Sequence, residues 1–224
     1  MKRIAALLLI LAVLLAVFPV SAASFDDHVA TAYMYVKFDC GHTRCGTGAM
    51  IGRRGLITCA HNLYCSTCGR ALKTCEFVFG AKSPNSGQKK YNSGFTYRAY
   101  DTFSGGYSAE NDIGYVIFNK PVGDSTGWYG YSVASDSSLD GKYANVNYYT
   151  DRGRFRNMYT GMHVLNSNKL TLDQRIYDCE GGPVCINDWQ VVAVYTSYNN
   201  NGNGVARRLT KQVIEDMKMQ GAFD

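Results

Sequence analysis

The stretch that decides the fold runs from Gly46 to Asn62 and has the sequence GTGAMIGRRGLITCAHN. Two short apolar runs, GTGAMIG and GLITCA, are separated by Arg53-Arg54-Gly55, and this pattern predicts two strands joined by a turn. His61 follows the second predicted strand directly, after Thr-Cys-Ala. The chain has four histidines, which are His28, His42, His61 and His163. Of these, His61 alone stands at the end of such a strand, so it is the first candidate for a functional histidine.

The same pattern of short apolar runs between turn residues continues through the chain. Further predicted strands are TAYMYVKF, CEFVFGAK, FTYRAY, IGYVIFN, YANVNYYT, HVLNSNKLTL and VVAVYTSY. They are separated by loop-like segments such as SPNSGQKKYNSG, DTFSGGYSAEND and NNNGNG. Many short strands at regular spacing are typical of β-sandwiches and β-barrels, so the sequence predicts an all-β fold.

One helix is predicted, in the C-terminal segment TKQVIEDMKMQGAF. Val213, Ile214 and Met217 fall on one face at helical spacing. Thr210 precedes this face and is a candidate N-cap, because its side-chain oxygen can accept a hydrogen bond from a backbone N–H of the first turn. The segment Phe118–Ser132 is the predicted connector between two halves of the chain.

The first 23 residues predict a secretory signal peptide. Lys2 and Arg3 form a positive start, Ile4–Val17 is apolar, and small residues allow cleavage near Ala22 or Ala23. A membrane anchor is the alternative, but the apolar run is short of the roughly 20 residues that a membrane-spanning helix needs. We therefore expect a secreted, extracellular protein with no membrane association after cleavage.

The mature chain, residues 24–224, is close to neutral. The formal net charge of +5 falls to +3 when Lys2 and Arg3 leave with the signal peptide. Such a weak positive charge does not support binding to nucleic acid.

All eight cysteines lie in the mature part of the chain, and an even number in an exported protein favours disulfide bonds. They are Cys40, Cys45, Cys59, Cys65, Cys68, Cys75, Cys179 and Cys185. Local pairs are plausible between Cys40 and Cys45 and between Cys179 and Cys185, but eight cysteines allow 105 connectivities. The alternative for the central four, Cys59, Cys65, Cys68 and Cys75, is a zinc site, since Cys65-x2-Cys68 is a ligand spacing.

Two further motifs follow the opening stretch in the chain. NDIGYVIF places Asp112 at the start of an apolar strand, and DCEGGPV, residues 178–184, contains Gly-Gly-Pro. In this order the motifs resemble those of the chymotrypsin/trypsin-like serine proteases, the bacterial glutamyl-endopeptidase-like branch in particular. That family has Gly-x-Gly, Thr-Ala-Ala-His, Asp-Ile-Ala and Gly-Asp-Ser-Gly-Gly-Pro. The resemblance extends from about Tyr33 to the end of the chain.

The resemblance implies a fold of two antiparallel β-barrels with a C-terminal helix, in a peptidase domain over residues 24–224. The N-terminal barrel would cover about 30–118, the C-terminal barrel about 130–208 and the helix about 210–221. It also implies peptide-bond hydrolysis without a cofactor, in a chain that is monomeric and has an extracellular protein or peptide as its partner.

The resemblance also assigns the catalytic positions. His61 would be the general base and Asp112 the carboxylate that orients it. Glu180, however, occupies the position of the nucleophilic serine, directly before Gly-Gly-Pro. Cys179 precedes it, and Asp178 stands where the family has an oxyanion-hole glycine. A carboxylate is a poor substitute for serine, because its acyl product would be an anhydride that reverts easily.

Three roles for Glu180 and its neighbour remain open on sequence alone. Glu180 could form an ion pair with His61 and keep the imidazole protonated. Glu180, His61 and Asp112 could together bind a divalent cation. Cys179 could be an alternative nucleophile activated by His61, unless it forms a disulfide with Cys185.

The family's substrate-binding walls map to two segments. They contain Gln174, Asp178, Tyr195, Thr196 and Ser197, and the alternative for Tyr195 and Tyr198 is a place in the core of a strand. The sequence thus predicts a trypsin-like serine protease homologue that binds polypeptide but is catalytically inactive, a pseudoprotease. The alternatives are an active endopeptidase that uses Cys179 or an unrecognised nucleophile, and a secreted β-barrel binding module that shares only the fold.

Overall fold

The computed structural model describes residues 27–80, 89–99, 111–177 and 180–224. The predicted signal peptide and the residues Asp178 and Cys179 therefore lie outside the described residues. No helix in the described ranges is long and apolar enough to cross a membrane.

The strands of the described chain form two sheets, in which all pairings but one are antiparallel. The first contains β1 (Thr31–Phe38), β2 (Thr43–Met50), β3 (Gly55–Thr58), β4 (Leu72–Phe79), β5 (Lys89–Tyr91), β6 (Phe95–Ala99) and β7 (Gly114–Phe118). The second contains β8 (Gly130–Tyr131), β9 (Lys142–Tyr149), β10 (Phe155–Val164), β11 (Lys169–Leu172), β12 (Pro183–Ile186), β13 (Gln190–Tyr198) and β14 (Gly204–Arg208). The helices are α1 (Asp27–Ala30), α2 (Gly123–Thr126), α3 (Asp136–Leu139), α4 (Lys211–Met219) and a 3-10 turn, Ala60–Asn62.

The first sheet has the strand order β5-β4-β1-β2-β3-β7-β6. In β1 the side chains of Met34, Val36 and Phe38 are buried, whereas Tyr35 and Lys37, which alternate with them, are exposed. This alternation is the period-two pattern of a strand with one face on a core. In the described part of the chain the sheet stays open, with β5 and β6 at its two edges.

The second sheet closes into a barrel. Its strand order is β12-β9-β10-β11-β14-β13-β8, and β12 also pairs with β13, which completes a ring of six strands. Strand β8 extends the sheet beyond the ring by a short parallel pairing with β13. The predicted all-β fold with two antiparallel barrels and a C-terminal helix is therefore confirmed. The second barrel is closed, and the first is a half-barrel, an open curved sheet.

A buried interface joins the two sheets. The hydroxyl of Tyr129 is fully buried and is hydrogen-bonded to Thr31 Oγ1 (2.7 Å) and to Asn147 Nδ2 (3.0 Å). The rings of Tyr33 in β1 and Tyr149 in β9 meet edge to face, with centroids 5.9 Å apart. These contacts hold the sheets side by side, and the cleft described below lies between them.

Helix α4 covers one side of this interface. The three residues predicted for its apolar face, Val213, Ile214 and Met217, are buried in the core cluster that both sheets share. Thr210 is the N-cap as predicted, and its Oγ1 accepts a hydrogen bond from the backbone N–H of Val213 at 3.5 Å.

The cap provides a direct test of this helix. Thr210→Ala removes the acceptor for a backbone N–H of the first turn, and we expect it to lower the free energy of unfolding by about 1 kcal/mol. Urea unfolding followed by circular dichroism measures the change. Thr210→Ser keeps the hydroxyl and is the control, so equal losses in both variants would show that the cap does not stabilise the helix.

Candidate functional site

Two neighbouring strand ends bring His61 and Asp112 together. Strands β3 and β7 are antiparallel, with Thr58 opposite Gly114. His61 lies in the 3-10 turn that follows β3, and Asp112 lies two residues before β7 begins. The end of one strand and the start of its partner are adjacent in an antiparallel pair, so the sheet itself positions both residues.

The side chains of His61 and Asp112 form a buried pair. Asp112 Oδ2 lies 2.6 Å from His61 Nδ1, and Asp112 Oδ1 accepts a hydrogen bond from the backbone N–H of His61 at 3.0 Å. Their exposed fractions are only 3% and 0%. The Asp112 carboxylate can only accept hydrogen bonds, here from the backbone N–H and from Nδ1 of His61. It therefore orients the imidazole and favours the tautomer with the proton on Nδ1. This is the orienting arrangement expected from the sequence.

The second ring nitrogen of His61 faces a residue that the sequence did not connect with it. Cys59 Sγ lies 3.4 Å from His61 Nε2, and Cys59 is fully buried. Burial, reinforced by the nearby negative charge of Asp112, raises the pKa of the Cys59 thiol well above its usual range. The thiol is therefore protonated and can donate its S–H to Nε2, the atom that would accept a proton from a catalytic nucleophile.

The backbone of Glu180 is fixed at the junction of the two sheets. Its carbonyl oxygen accepts hydrogen bonds from the backbone N–H of Thr47 (2.9 Å) and from Asn62 Nδ2 (3.1 Å), both in the first half of the chain. The next residue, Gly181, donates its N–H to the carbonyl of Tyr195 in the second half (2.8 Å). These bonds place residue 180 beside the His61 turn.

A cleft of about 340 Å³ lies at this junction. Its lining residues are Arg44, His61, Ser66, Glu180, Thr196, Ser197 and Tyr198. The structure thus brings together four predicted site residues, His61, Glu180, Thr196 and Ser197. Arg44 and Ser66 were missed, because each lies outside the sequence motifs that marked the site.

Two residues that were predicted to line the substrate-binding walls do not line the cleft. The side chain of Tyr195 is buried in the core of the C-terminal barrel, where its hydroxyl accepts from the N–H of Ile176 (3.2 Å) and donates to the carbonyl of the same residue (2.9 Å). Gln174 is exposed and is not among the residues that line the cleft. The prediction that Tyr195 forms a wall is corrected accordingly: alternation along β13 turns its side chain inward. Asp178 and Cys179 stay predictions, outside the described residues.

One arginine lines the cleft, and a second contacts a residue that lines it. Arg44 Nη1 lies 3.4 Å from the carbonyl oxygen of His61, to which it donates. The guanidinium carbon of Arg175 lies 3.2 Å from the centre of the ring of Tyr198, a lining residue, and 4.3 Å from that of Tyr177. Stacking on two aromatic faces holds this cation in place.

Possible metal ligands gather in two groups among the described residues. One contains Cys59, His61 and Asp112, so the third member beside the His–Asp pair is Cys59 rather than the predicted Glu180. The other contains Cys40, His42, Cys65 and Cys68.

The second group corrects the predicted zinc set, since it includes neither Cys59 nor Cys75. Cys75 lies in the core of the first sheet, where burial raises the pKa of its thiol. The plausible disulfide between Cys40 and Cys45 is not formed, and Cys45 Sγ instead lies 2.8 Å from the hydroxyl of Tyr33. The pairing of Cys179 with Cys185 stays a prediction.

Comparison with known proteins begins with the sequence. No protein-family model matches it. The extracellular metalloprotease of Bacillus subtilis (strain 168) is 21% identical over 210 residues, which are 89% of this chain and 66% of that protein. The chain therefore spans just under two thirds of the length of this relative.

Comparison with solved structures shows that the fold is shared with known proteins. A Glu endopeptidase, solved in complex with MPD, has a TM-score of 0.71 at 15% identity, over 91% of this chain and 95% of its own. The protein has the chymotrypsin-like serine protease fold. The scabies mite inactivated protease paralogue S-I1 has the same chymotrypsin-like fold, with a TM-score of 0.67 at 13% identity over 88% of this chain and 96% of its own.

Proposed function

We propose that this protein is a secreted pseudoprotease with a chymotrypsin-like fold, which binds polypeptide in its cleft without hydrolysing it. The observation that carries the proposal is the position of Glu180. It lines the same cleft as His61, at the place where the family resemblance puts the nucleophilic serine. The segment before Gly-Gly-Pro, YDCE, contains no serine at all.

The chemistry of the site supports inactivity. Amide hydrolysis on this fold needs a hydroxyl or thiol that passes its proton to the histidine. Attack by a glutamate carboxyl would instead give an anhydride that reverts easily, and His61 Nε2 is already close to the buried thiol of Cys59. Residue 180 thus offers the His61–Asp112 pair a carboxylate in place of the required hydroxyl or thiol.

The shape of the cleft supports binding of an extended peptide. The main-chain hydrogen bonds of β13 to the segment before β12 continue to Tyr195, which bonds to Gly181 and Gly182, and the residues that follow it in β13 line the cleft wall. A strand at a cleft wall can pair with an extended peptide through main-chain hydrogen bonds. Tyr198, braced by Arg175, adds a flat aromatic surface beside this strand.

Two of the compared proteins support parts of this proposal. S-I1 is described as an inactivated protease, so the fold can persist without the activity. The Bacillus relative is described as extracellular, in agreement with the predicted signal peptide. The proposed occupant is an extracellular protein or peptide.

The test is hydrolysis of a mixed library of fluorescently quenched peptides by the mature protein. We expect no turnover by the natural protein beyond that of Glu180→Ala, and measurable turnover by Glu180→Ser. Adding His61→Ala to the serine variant should lower that turnover by at least about 100-fold, because a general base contributes about 10²–10⁴ in rate. Turnover by the natural protein would overturn the proposal.

Binding is tested separately from catalysis. The natural protein should capture library peptides. Ser197→Trp fills the cleft, so this variant should capture none. Ser137→Trp, at an exposed position in α3, is the matched control and should bind as the natural protein does. Equal capture by both variants would instead favour a β-barrel binding module that uses another surface.

A thiol nucleophile is the second candidate, since the Cys59–His61–Asp112 array has the residue types of a cysteine protease. Full burial and the raised pKa of the Cys59 thiol oppose this role, because the thiolate is the nucleophile. Hydrolysis by the natural protein that an alkylating reagent abolishes would support a thiol peptidase, and Cys59→Ala and Cys179→Ala would then identify the sulfur.

A further inference from the structure

Two loops meet at one end of the first sheet. The tip of the β1–β2 hairpin carries Cys40 and His42, and the loop between the 3-10 turn and β4 carries Cys65 and Cys68. The backbone N–H of Asp39, at the hairpin tip, donates to the carbonyl of Ala71 in the second loop at 3.1 Å. The two loops are thus held against each other by main-chain contact, independently of their cysteines.

Four ligand-type side chains converge between these loops. The three sulfurs of Cys40, Cys65 and Cys68 and one ring nitrogen of His42 all lie within 4.8 Å of one another. His42 Nδ1 is 3.2 Å from Cys65 Sγ. A tetrahedral zinc ion with Zn–S bonds of about 2.3 Å and a Zn–N bond of about 2.1 Å sets S···S near 3.8 Å and S···N near 3.6 Å. The present upper bound of 4.8 Å is about 1 Å above these separations, so the four atoms already lie near the spacing of a zinc site.

The loop from Cys65 to Arg70 has the backbone form of a metal-binding turn. The Cys65 sulfur accepts hydrogen bonds from the backbone N–H groups of Thr67 and Cys68, and the Cys68 sulfur accepts one from that of Arg70. Gly69 closes the turn by donating its N–H to the carbonyl of Cys65 at 2.8 Å, with a φ of +65° that favours glycine. N–H groups aimed at sulfur are the outer-shell partners that stabilise thiolate ligands of a metal.

We propose that Cys40, His42, Cys65 and Cys68 form a structural Zn²⁺ site. Three thiolates and one imidazole are a closed ligand set for zinc, which leaves no position for water or substrate. Each coordinating thiol gives up its proton on binding, so no oxidant or reductant is involved. Cys40, His42 and Cys68 are exposed, so the ion can enter from solvent, while Cys65 is buried beneath them.

This site is separate from the cleft residues His61 and Asp112 but is connected to the cleft wall. Ser66 lies between the ligands Cys65 and Cys68, and Ser66 lines the cleft. Zinc would therefore fix the loop that forms this part of the wall and tie it to the β1–β2 hairpin. The proposal does not depend on whether the cleft binds or hydrolyses peptides.

The test measures metal directly. The mature protein is purified with reductant and zinc, dialysed against metal-free buffer, and analysed for zinc by mass spectrometry. We expect one zinc per chain, and replacement by Co²⁺ should give the intense visible absorption of a tetrahedral thiolate complex. Cys68→Ser should weaken zinc binding by more than about 100-fold, since loss of an outer-shell partner alone already costs about 10–100-fold.

The matched control is Cys45→Ser, a neighbouring hairpin cysteine outside the group. It should keep one zinc per chain and the Co²⁺ spectrum. If Cys68→Ser does not fold, Cys40→Ser tests the same ligand set at an exposed position. The proposal is overturned by zinc-free natural protein under these conditions, by equal zinc retention in the ligand variant and the control, or by a disulfide among Cys40, Cys65 and Cys68 in peptide mapping.

Discussion

Gly181→Ala should lower the free energy of unfolding by about 2–5 kcal/mol, the sum of left-handed strain of about 1–2 kcal/mol and overpacking of about 1–3 kcal/mol. Gly181 has a φ of +91°. A Cβ there would overlap the carbonyl oxygen of Thr47 and the hydroxyl of Thr58. That carbonyl is already held by Thr58 Oγ1 at 2.6 Å, so it cannot move away without breaking a buried hydrogen bond.

The control separates these two effects. Gly141 has a φ of +68°, but nothing lies within 4 Å of an added Cβ. Gly141→Ala should therefore show the conformational strain alone, about 1–2 kcal/mol. Urea unfolding of both variants provides the measurement. Equal losses would mean that the contact of Gly181 with Thr47 is not a constraint on the cleft.

Phe118→Ala should lower the free energy of unfolding by about 3–5 kcal/mol, which is the usual range for removal of a buried phenylalanine ring. Phe118 is 1% exposed and lies at the end of β7, in the core of the first sheet. Its ring centroid lies 5.2 Å from that of Phe77, 5.8 Å from that of Tyr91 and 6.2 Å from that of Phe95. One truncation therefore empties the centre of an aromatic cluster that joins several strands.

The matched control for Phe118 is an aromatic pair on the surface. Tyr159 stacks on Tyr143 with a centroid distance of 5.1 Å, but both rings are 62% exposed. Tyr159→Ala should cost about 1 kcal/mol or less, because an aromatic pair contributes only about 0.5–1.5 kcal/mol beyond burial. Thermal unfolding compares the two variants. A loss as large as that of Phe118→Ala would contradict the assignment of the core.

The strands predicted from the sequence are those with a regular apolar alternation, such as β1, or a continuous apolar run, such as β7. Strand β1 and helix α4 were predicted because their apolar residues recur at the period of the element. Strand β10 was predicted only at its end, because the apolar residues of FRNMYTGMHV do not alternate regularly with polar ones and several of its side chains face solvent. The segment HVLNSNKLTL was predicted as one strand but contains the end of β10, a turn and β11. Apolar periodicity gives little signal where main-chain pairing within a closed barrel defines the strand.

The sequence itself marked site residues where they stand next to a strand end, and the family resemblance added Glu180, Thr196 and Ser197. His61 and Asp112 have that context, and the structure joins them. The contact of Cys59 with His61 could not be predicted, because it depends on the side-chain orientation of Cys59, which lies two residues before His61. The same holds for the four-ligand group: the spacing of Cys65 and Cys68 is visible in the sequence, but Cys40 and His42 reach them only through the folding of a hairpin tip.

The junction at residue 180 also bears on how such a chain can change over evolutionary time. Thr47 and Asn62 hold the carbonyl of Glu180, an atom that every amino acid supplies. The backbone structure at residue 180 therefore does not depend on which side chain is present. A substitution there can alter the chemistry of the cleft while the fold stays the same. Residue 180 can therefore change between a reactive and an unreactive side chain while the fold is kept. By one such substitution, an ancestral enzyme could become a binding protein without losing its folded structure.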